Sequence, residues 1–160
     1  MDEQTVAVRP LCDADVAWAE ALLDSELGGR RQVRRGELID VLDLPGIVAE
    51  CAGARVGLLT YRPEAGGAEL AAIATREPHA GVGTALLDAL KSELAGRGRL
   101  WLVTTNDNLE ALRFYQRRGF ALVALRPGAI MAARDLKPSI PAEGAFGIPL
   151  RDELELELRL

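Results

Sequence analysis

The sequence predicts an α/β fold with a mixed sheet (α+β in the looser sense), in the order β-α-α-β-β-β-α-β-α-β-β. Three observations predict it. Apolar, strand-like runs are interleaved with runs of helical period along the whole chain. Pro and Gly stand at the joins, as at Pro10, Gly28, Pro45 and Gly96. The 160 residues are 49% hydrophobic, enough for one sizeable core, and no repeat, low-complexity tract or linker divides them. One domain over 1–160 is expected.

Residues 5–9, TVAVR, alternate and stop at Pro10, a short strand. Asp13 or Asp15 caps the next helix, which runs through Val16, Leu23 and Leu27 to a stop at Gly28. RRQVRRGELIDVLDLPG reads as a second, weaker helix that ends before Pro45. GIVAECAG, RVGLLTYR and GAELAAIAT are three strands. From Gly81 the period turns helical, with Leu86, Leu87, Leu90 and Leu94 on one side. RLWLVTT is a strand feeding a helix within TTNDNLEALRFYQRRGF, and GFALVAL is a strand, followed by a loop-like LKPSIPAEGAFGIPL. The terminal DELELELRL alternates acid and Leu, so it reads as a strand with one wet face.

A net charge of −5 and a pI of about 5.0 argue against a nucleic-acid or anionic-membrane partner. Two cysteines, Cys12 and Cys51, and one histidine, His79, are too few for a disulfide framework or a zinc site, so no metal is expected. A catalytic thiol would need His79 beside it, and both cysteines read better as small hydrophobes. MDEQTVAVRP carries no secretory signal, and no run reaches the length of a membrane span, so a cytoplasmic protein is expected.

Two places carry chemistry. In REPHAGVGTALLDAL, Gly81 and Gly83 stand where a loop becomes a helix, so backbone amides and the positive helix end can meet a phosphate. A P-loop would need Lys and then Ser or Thr, and Thr84 and Ala85 follow instead. A dinucleotide fingerprint would need a third Gly where Leu86 stands. Alone, the two glycines would mark only a turn. The second place is TTNDNLEALRFYQRRGF, residues 104–120. Leu109, Ala111, Leu112, Phe114 and Tyr115 supply its apolar stripe, and Asp107 with Glu110 a capping pair. Asn108 and Tyr115 then have no structural task of their own. Their spacing of seven puts both on one helix face.

Taken together these segments resemble the GNAT superfamily of acyl-CoA-dependent N-acyltransferases, in a bacterial subgroup without a known acceptor. The resemblance rests on the strand ending in Ile73, the Gly81-x-Gly83-Thr84 turn, and Asn108, Ala111, Phe114, Tyr115, Gly119 and Phe120 in N-x-x-A-x-x-F-Y-x-x-x-G-F. It implies transfer of acetyl from acetyl-CoA, the cosubstrate, to a primary amine on a small molecule or peptide. Amides of Gly81, Val82, Gly83 and Thr84 would hold the pyrophosphate. The main chain of Ile73, Ala74 and Thr75 would take the pantetheine and polarise the thioester, with Asn108 and Ala111 along the same arm. Tyr115 would protonate the leaving thiolate. A homodimer is expected from the family. Pro78 and Ala80 depart from the pattern, standing where relatives carry Arg or Gln and often a base. A CoA-binding regulatory protein without turnover is therefore the alternative.

Glu69 lies four residues before Ile73, which puts both on one strand face by alternation. In relatives a Glu on this face acts as general base, usually two residues earlier, here Gly67. A solvated strand carboxylate is the other reading. Arg30, Arg31, Arg34 and Arg35 read as a solvated basic face paired with Glu26, Glu37 and Asp40. Tyr61, Arg134 and Asp135 line an acceptor pocket only by fold analogy.

Overall fold

The computed structural model describes residues 5–76, 81–96 and 98–160. Those residues form nine strands and four α-helices: β1 (Val6–Pro10), α1 (Val16–Leu27), β2 (Arg31–Arg34), β3 (Glu37–Asp40), β4 (Gly46–Cys51), β5 (Ala54–Glu64), β6 (Gly67–Thr75), α2 (Val82–Glu93), β7 (Arg99–Thr105), α3 (Leu109–Gln116), β8 (Ala121–Arg126), α4 (Ala129–Leu136) and β9 (Glu153–Arg159). The α/β class is the predicted one. The chain divides into two compact units. One is Met1–Arg30 with Asp40–Gly98 and Leu160; the other is Arg31–Ile39 with Arg99–Arg159.

In the first unit the strands run β1-β4-β5-β6, each pair antiparallel. The leucines expected on one side of α2 are the ones that pack: Leu86, Leu87, Leu90 and Leu94 are all buried. Helix α2 lies on β1, β4 and β5, and one glycine sets how closely. A Cβ at Gly57 would come within 2.7 Å of Val82 Cγ1 and 3.0 Å of Leu86 Cδ1. At the other end of the unit a single-turn 3-10 helix, Asp13–Asp15, leads into α1. Asp15 is buried there and accepts two bonds from Arg9, at 2.7 and 2.8 Å, and one from Arg55 at 3.2 Å. These cations, Arg9 foremost, hold its carboxyl well below the ordinary carboxylate range. Gly28, in the left-handed region at φ 74°, ends α1 as expected.

In the second unit the strand order is β7-β9-β8, with β2 and β3 as a separate two-stranded sheet. Three expectations fail here. The segment read as a second helix is the β2–β3 hairpin followed by a 3-10 turn, Val41–Asp43. Arg35 and Gly36 take φ of 51° and 78°, the left-handed pair of a two-residue hairpin turn, and that turn decides against the helix. Helix α4 was not expected. Gly128 at φ 73° opens it, its N–H held by Asp152 Oδ1 at 2.8 Å, and Ile130 and Ala133 bury one side. Finally, β9 has no wet face.

Strand β9 pairs with both β7 and β8, and the face that carries its first two glutamates is covered. Glu153 and Glu155 are only 3% and 6% exposed. Arg126 binds both, at 2.9 and 2.7 Å, Arg99 binds Glu155 and Glu157, and the Arg35 N–H donates to Glu153 at 3.1 Å. Buried like charges two residues apart stand only when cations neutralise them. Trp101, opposite Glu157, has the guanidiniums of Arg35 and Arg99 at 5.3 and 5.2 Å from its ring centre.

Gly57 gives a direct test of the first unit. Gly57→Ala drives a methyl into a helix seat that cannot yield, because Val82 and Leu86 are fully buried. The expected loss is about 1–3 kcal/mol in denaturant unfolding, the range of overpacked cores. An unchanged midpoint would mean that α2 rides further from the sheet.

Candidate active site

The candidate residues fall in both units, and in each they are positioned by different means. In the first unit β6 pairs with β5 through Glu69↔Arg62, Leu70↔Tyr61, Thr60↔Ala72 and Ile73↔Leu59. The register slips between Thr60 and Tyr61, leaving Ala71 as an extra residue on β6. Directly opposed residues share a face, so Glu69 lies on the face of Arg62 and Thr60, and Ile73 on the face of Leu59. The expectation that Glu69 and Ile73 share a face therefore fails. The bulge breaks the alternation that the sequence implies.

Glu69 is not solvated either. It is 0% exposed, and its Oε2 accepts a 2.7 Å bond from Arg62. Next to it on the same face, the Thr60 hydroxyl is buried with no hydrogen-bond partner among the described residues. Further along β6, Ile73, Ala74 and Thr75 oppose Leu59, Leu58 and Gly57, and the Arg76 N–H closes the ladder on the Val56 carbonyl at 2.8 Å.

Gly81 caps α2 at φ 89°, with open space where a Cβ would stand. The Ala85 N–H bonds the Gly81 carbonyl at 2.9 Å, closing a first turn that contains Val82, Gly83 and Thr84. Gly57 matters a second time, since it is what lets this amide-bearing end sit against β5. Pro78, His79 and Ala80, where the sequence departs from its relatives, lie outside the described residues.

In the second unit Asn108 is the N-cap of α3. Its Oδ1 accepts from the Ala111 N–H at 3.2 Å, and its Nδ2 donates to Thr104 Oγ1 at 3.1 Å. Two expectations are corrected at once: the cap is Asn108 and not Asp107, and Asn108 does have a structural task. Its φ and ψ of −82° and 66° lie outside the helix, so helical spacing does not set its direction relative to Tyr115. Asp107 is buried and accepts from Thr105 Oγ1 and, at 2.8 Å, from the Ala145 N–H, tying down the loop that precedes β9.

Tyr115 is buried in an edge-to-face stack, its ring centre 5.1 Å from Phe114 and 5.2 Å from Phe120. Burial pushes the phenol above its ordinary value, against the opposing charges of Arg34 and Arg118. It is therefore neutral across the physiological range. Arg34 is the residue that the sequence misplaces. Grouped with a solvated basic cluster, it is 8% exposed, with an Nη2–H directed at the Val103 carbonyl at 3.4 Å. No periodic signal separates it from Arg31 and Arg35, which are exposed.

Other candidates have other tasks. Arg134 donates to the carbonyls of Ile140, Pro141 and Leu150 and so closes the loop before β9. Asp135 is exposed, and Tyr61 is raised by partial burial and by the charge of Glu93. Arg30 pairs with Asp40 at 2.8 Å, as expected, and with Glu20 at 3.5 Å. Cys51 is buried and Cys12 exposed. Among the described residues no group of three or more His, Cys, Asp and Glu could hold a metal, and no helix is long and apolar enough to cross a membrane.

The two tasks of Asn108 separate by substitution. Asn108→Ala loses the cap and should cost about 1 kcal/mol of stability. Asn108→Asp keeps the capping oxygen and loses the amide donor. It should melt near the parent while weakening acetyl-CoA binding in calorimetry. Equal binding by the parent and the Asp variant would leave Asn108 a cap and nothing more.

Comparison with known proteins identifies the family. A model of the acetyltransferase (GNAT) family matches residues 16–120, which contain β6, the α2 turn and α3. Two uncharacterised proteins of Bacillus subtilis (strain 168) are similar over 105 residues: YdhI at 39% identity, covering 64% of this chain and 66% of that protein, and YxbD at 45%, covering 63% and 65%. The matched chain thus spans just under two thirds of these curated relatives. Among solved structures, a GNAT family acetyltransferase from Elizabethkingia anophelis with acetyl-CoA bound superposes with a TM-score of 0.77, at 19% identity over 97% of this chain and 98% of that one. Two thirds of the sequence matching the family, on a backbone of the same fold, has one meaning: the chain belongs to the GNAT acetyltransferase family.

Proposed function

We propose that this protein, acting as one N-acetyltransferase-like domain over 1–160, moves an acetyl group from acetyl-CoA to the primary amine of a small molecule or peptide by direct attack on the thioester. The observation that carries the reading is Tyr115, a buried phenol on the helix that Asn108 caps, at the family's proton-donor position. Amides of Gly81, Val82, Gly83 and Thr84 would take the pyrophosphate. The main chain of Ile73, Ala74 and Thr75 would hold the pantetheine through the N–H and C=O groups that ladder geometry turns away from β5. Ala111, whose N–H is already held by Asn108, contributes its small side chain beside that arm. The amine nitrogen attacks the carbonyl carbon, the C–S bond breaks with its electron pair on sulfur, and Tyr115 gives its proton to that sulfur.

Glu69 is assigned to the acceptor side. Its ion pair with Arg62 at 2.7 Å occupies a carboxylate oxygen, which leaves the group to attract an ammonium rather than to act as the base. A water beside Glu69 then carries the ammonium proton away. The opposite faces of Glu69 and Ile73 do not separate their roles, because a backbone edge and not a side chain holds the pantetheine. The same ion pair is what favours the alternative, a CoA-binding protein without turnover. Thiol release from acetyl-CoA across a panel of amines decides between them. A homodimer would have its natural seam at β8, an outer strand that exposes Leu122, Val123 and Leu125, and sedimentation reads that directly. A bacterial, cytoplasmic setting agrees with the relatives and the acidic charge.

Two variants test the roles. Tyr115→Phe keeps the ring stack and loses the proton, so turnover should fall roughly 10²- to 10⁴-fold while acetyl-CoA binding changes little. Near-normal turnover would make Tyr115 a packing residue. Glu69→Gln should slow the reaction most near neutral pH and least at high pH, where free amine is abundant. A uniform loss across pH would mean that the carboxylate only positions the acceptor or braces Arg62.

A further inference from the structure

The face of β5 and β6 that carries Glu69 holds a second unusual group. Thr60 is 0% exposed, and its hydroxyl is a buried oxygen that no hydrogen bond satisfies among the described residues. An orphaned hydroxyl in a sheet interior costs free energy that a Val of similar shape would not. The Thr60 methyl is turned to β4: a Cβ at Gly46, the residue opposite, would come within 3.1 Å of Thr60 Cγ2. The hydroxyl, on the other branch of the same carbon, therefore points away from β4.

The extra residue at Ala71 is what puts Glu69 on this face. Had the pairing Thr60↔Ala72 continued without a slip, Glu69 would oppose Pro63 and share the other face with Tyr61. With the slip it opposes Arg62, two residues from Thr60 on the same side of β5. The Arg62 side chain is 31% exposed and reaches Glu69 Oε2 at 2.7 Å. Glu69 is fully buried, so it can give up that cation only for another. One face of one unit thus brings together a carboxylate that must hold a cation, a hydroxyl without a partner, and an arginine that has solvent to move into. A simple amine entering here would set its ammonium beside the Arg62 guanidinium, two like charges over one carboxylate. An amine that carries its own anion would not, because each of its charges meets the opposite charge of the pair it opens.

We propose that this face is an acceptor subsite for a free α-amino acid, whose ammonium replaces Arg62 on Glu69 and donates to the Thr60 hydroxyl while Arg62 swings onto its carboxylate. The proposal rests on the reading of Glu69 as the acceptor-side carboxylate. It narrows that reading, since a peptide N-terminus has no carboxylate next to its amine. The ammonium has three donors; Glu69 and Thr60 take two and leave one for water. The planar fork of Arg62 fits a carboxylate bidentately, which an amide or an ester cannot reproduce. The exchange keeps cations and anions equal in number on this face, and with no acceptor bound Arg62 keeps the buried Glu69 neutralised.

Thiol release from acetyl-CoA tests this when each standard L-amino acid that reacts is compared with its α-carboxamide and its decarboxylated amine. The free acid should exceed both in kcat/KM by about tenfold or more, the loss expected when a charge-assisted pair is removed. In Arg62→Gln that preference should collapse towards equality, and in Arg62→Lys part of it should remain. The ratio is read within one variant, so partial unfolding lowers both rates and leaves it unmoved; an arginine that merely braced Glu69 would leave it unmoved too. Thr60→Val should raise KM for the amino acid several-fold without lowering the melting temperature, and Thr60→Ser should restore it. Equal rates for acid and carboxamide, or a preference that survives Arg62→Gln, overturn the proposal and leave the transfer reading standing. Should Arg62→Gln fail to fold, the preference of the parent and the two Thr60 variants decide. No thiol release with any amine would sink the transfer reading. Calorimetry of L-amino acids and their carboxamides into the CoA-saturated protein then decides the subsite: tighter binding of the acid supports it, and no binding overturns it.

Discussion

The second unit depends on neutralising the acids of β9. Glu153, Glu155 and Glu157 point from β9, the strand between β7 and β8, and each carries a charge that burial makes costly. Arginines from three places discharge that cost. Arg99 comes from β7, Arg126 from β8, and Arg35 from the turn of the hairpin. The result is more than a satisfied sheet. Fastening Arg35 to Glu153 and over Trp101 fixes the hairpin turn, and the residue before it in the chain is Arg34. A charge network that looks purely structural thus decides where the buried Arg34 stands.

The first unit solves a different problem, which is to present backbone. Two irregularities do it. The extra residue at Ala71 turns Glu69 and Ile73 to opposite faces, so the strand can offer a carboxylate on one side and an apolar surface on the other. Gly57, by having no Cβ, seats the first turn of α2 against β5, and the amides of that turn come with it. Neither feature involves a reactive side chain. Both set where the atoms of a phosphate or a thioester could be met, which accords with a family that holds its cosubstrate largely by main chain.

The parts of this arrangement legible in the sequence are those governed by local period. The α2 leucines, strand β7, and the match from Asn108 to Phe120 each announce themselves within about a dozen residues. What period does not encode was missed for identifiable reasons. The hairpin was read as a helix because its arginines look solvated, although Arg-Gly between Val33 and Leu38 is a turn signal that outweighs them. Pro127-Gly128 before an alanine-rich run marks the start of α4 in the same way. Strand β9 was read with the right type and the wrong environment, because alternation tells a face but not what covers it. The bulge at Ala71 leaves no mark at all, and with it went the relation of Glu69 to Ile73. Asn108 was given a ligand and no structural task; the amide has enough atoms for both.

On the proposed reading of Tyr115 as proton donor, its burial pulls in two directions. Exclusion of water keeps the phenol neutral, so the proton is there to give. The same exclusion makes giving it up costly, since the charge left behind has no solvent. An exposed tyrosine would avoid the second difficulty and lose the first advantage, because water would compete for the hydroxyl. The same unit also buries the Arg34 guanidinium, and its bond to the Val103 carbonyl and the anchored turn beside it are what make that burial tolerable. The glutamates of β9, by fastening the turn, thus hold a buried cation in the unit that carries Tyr115.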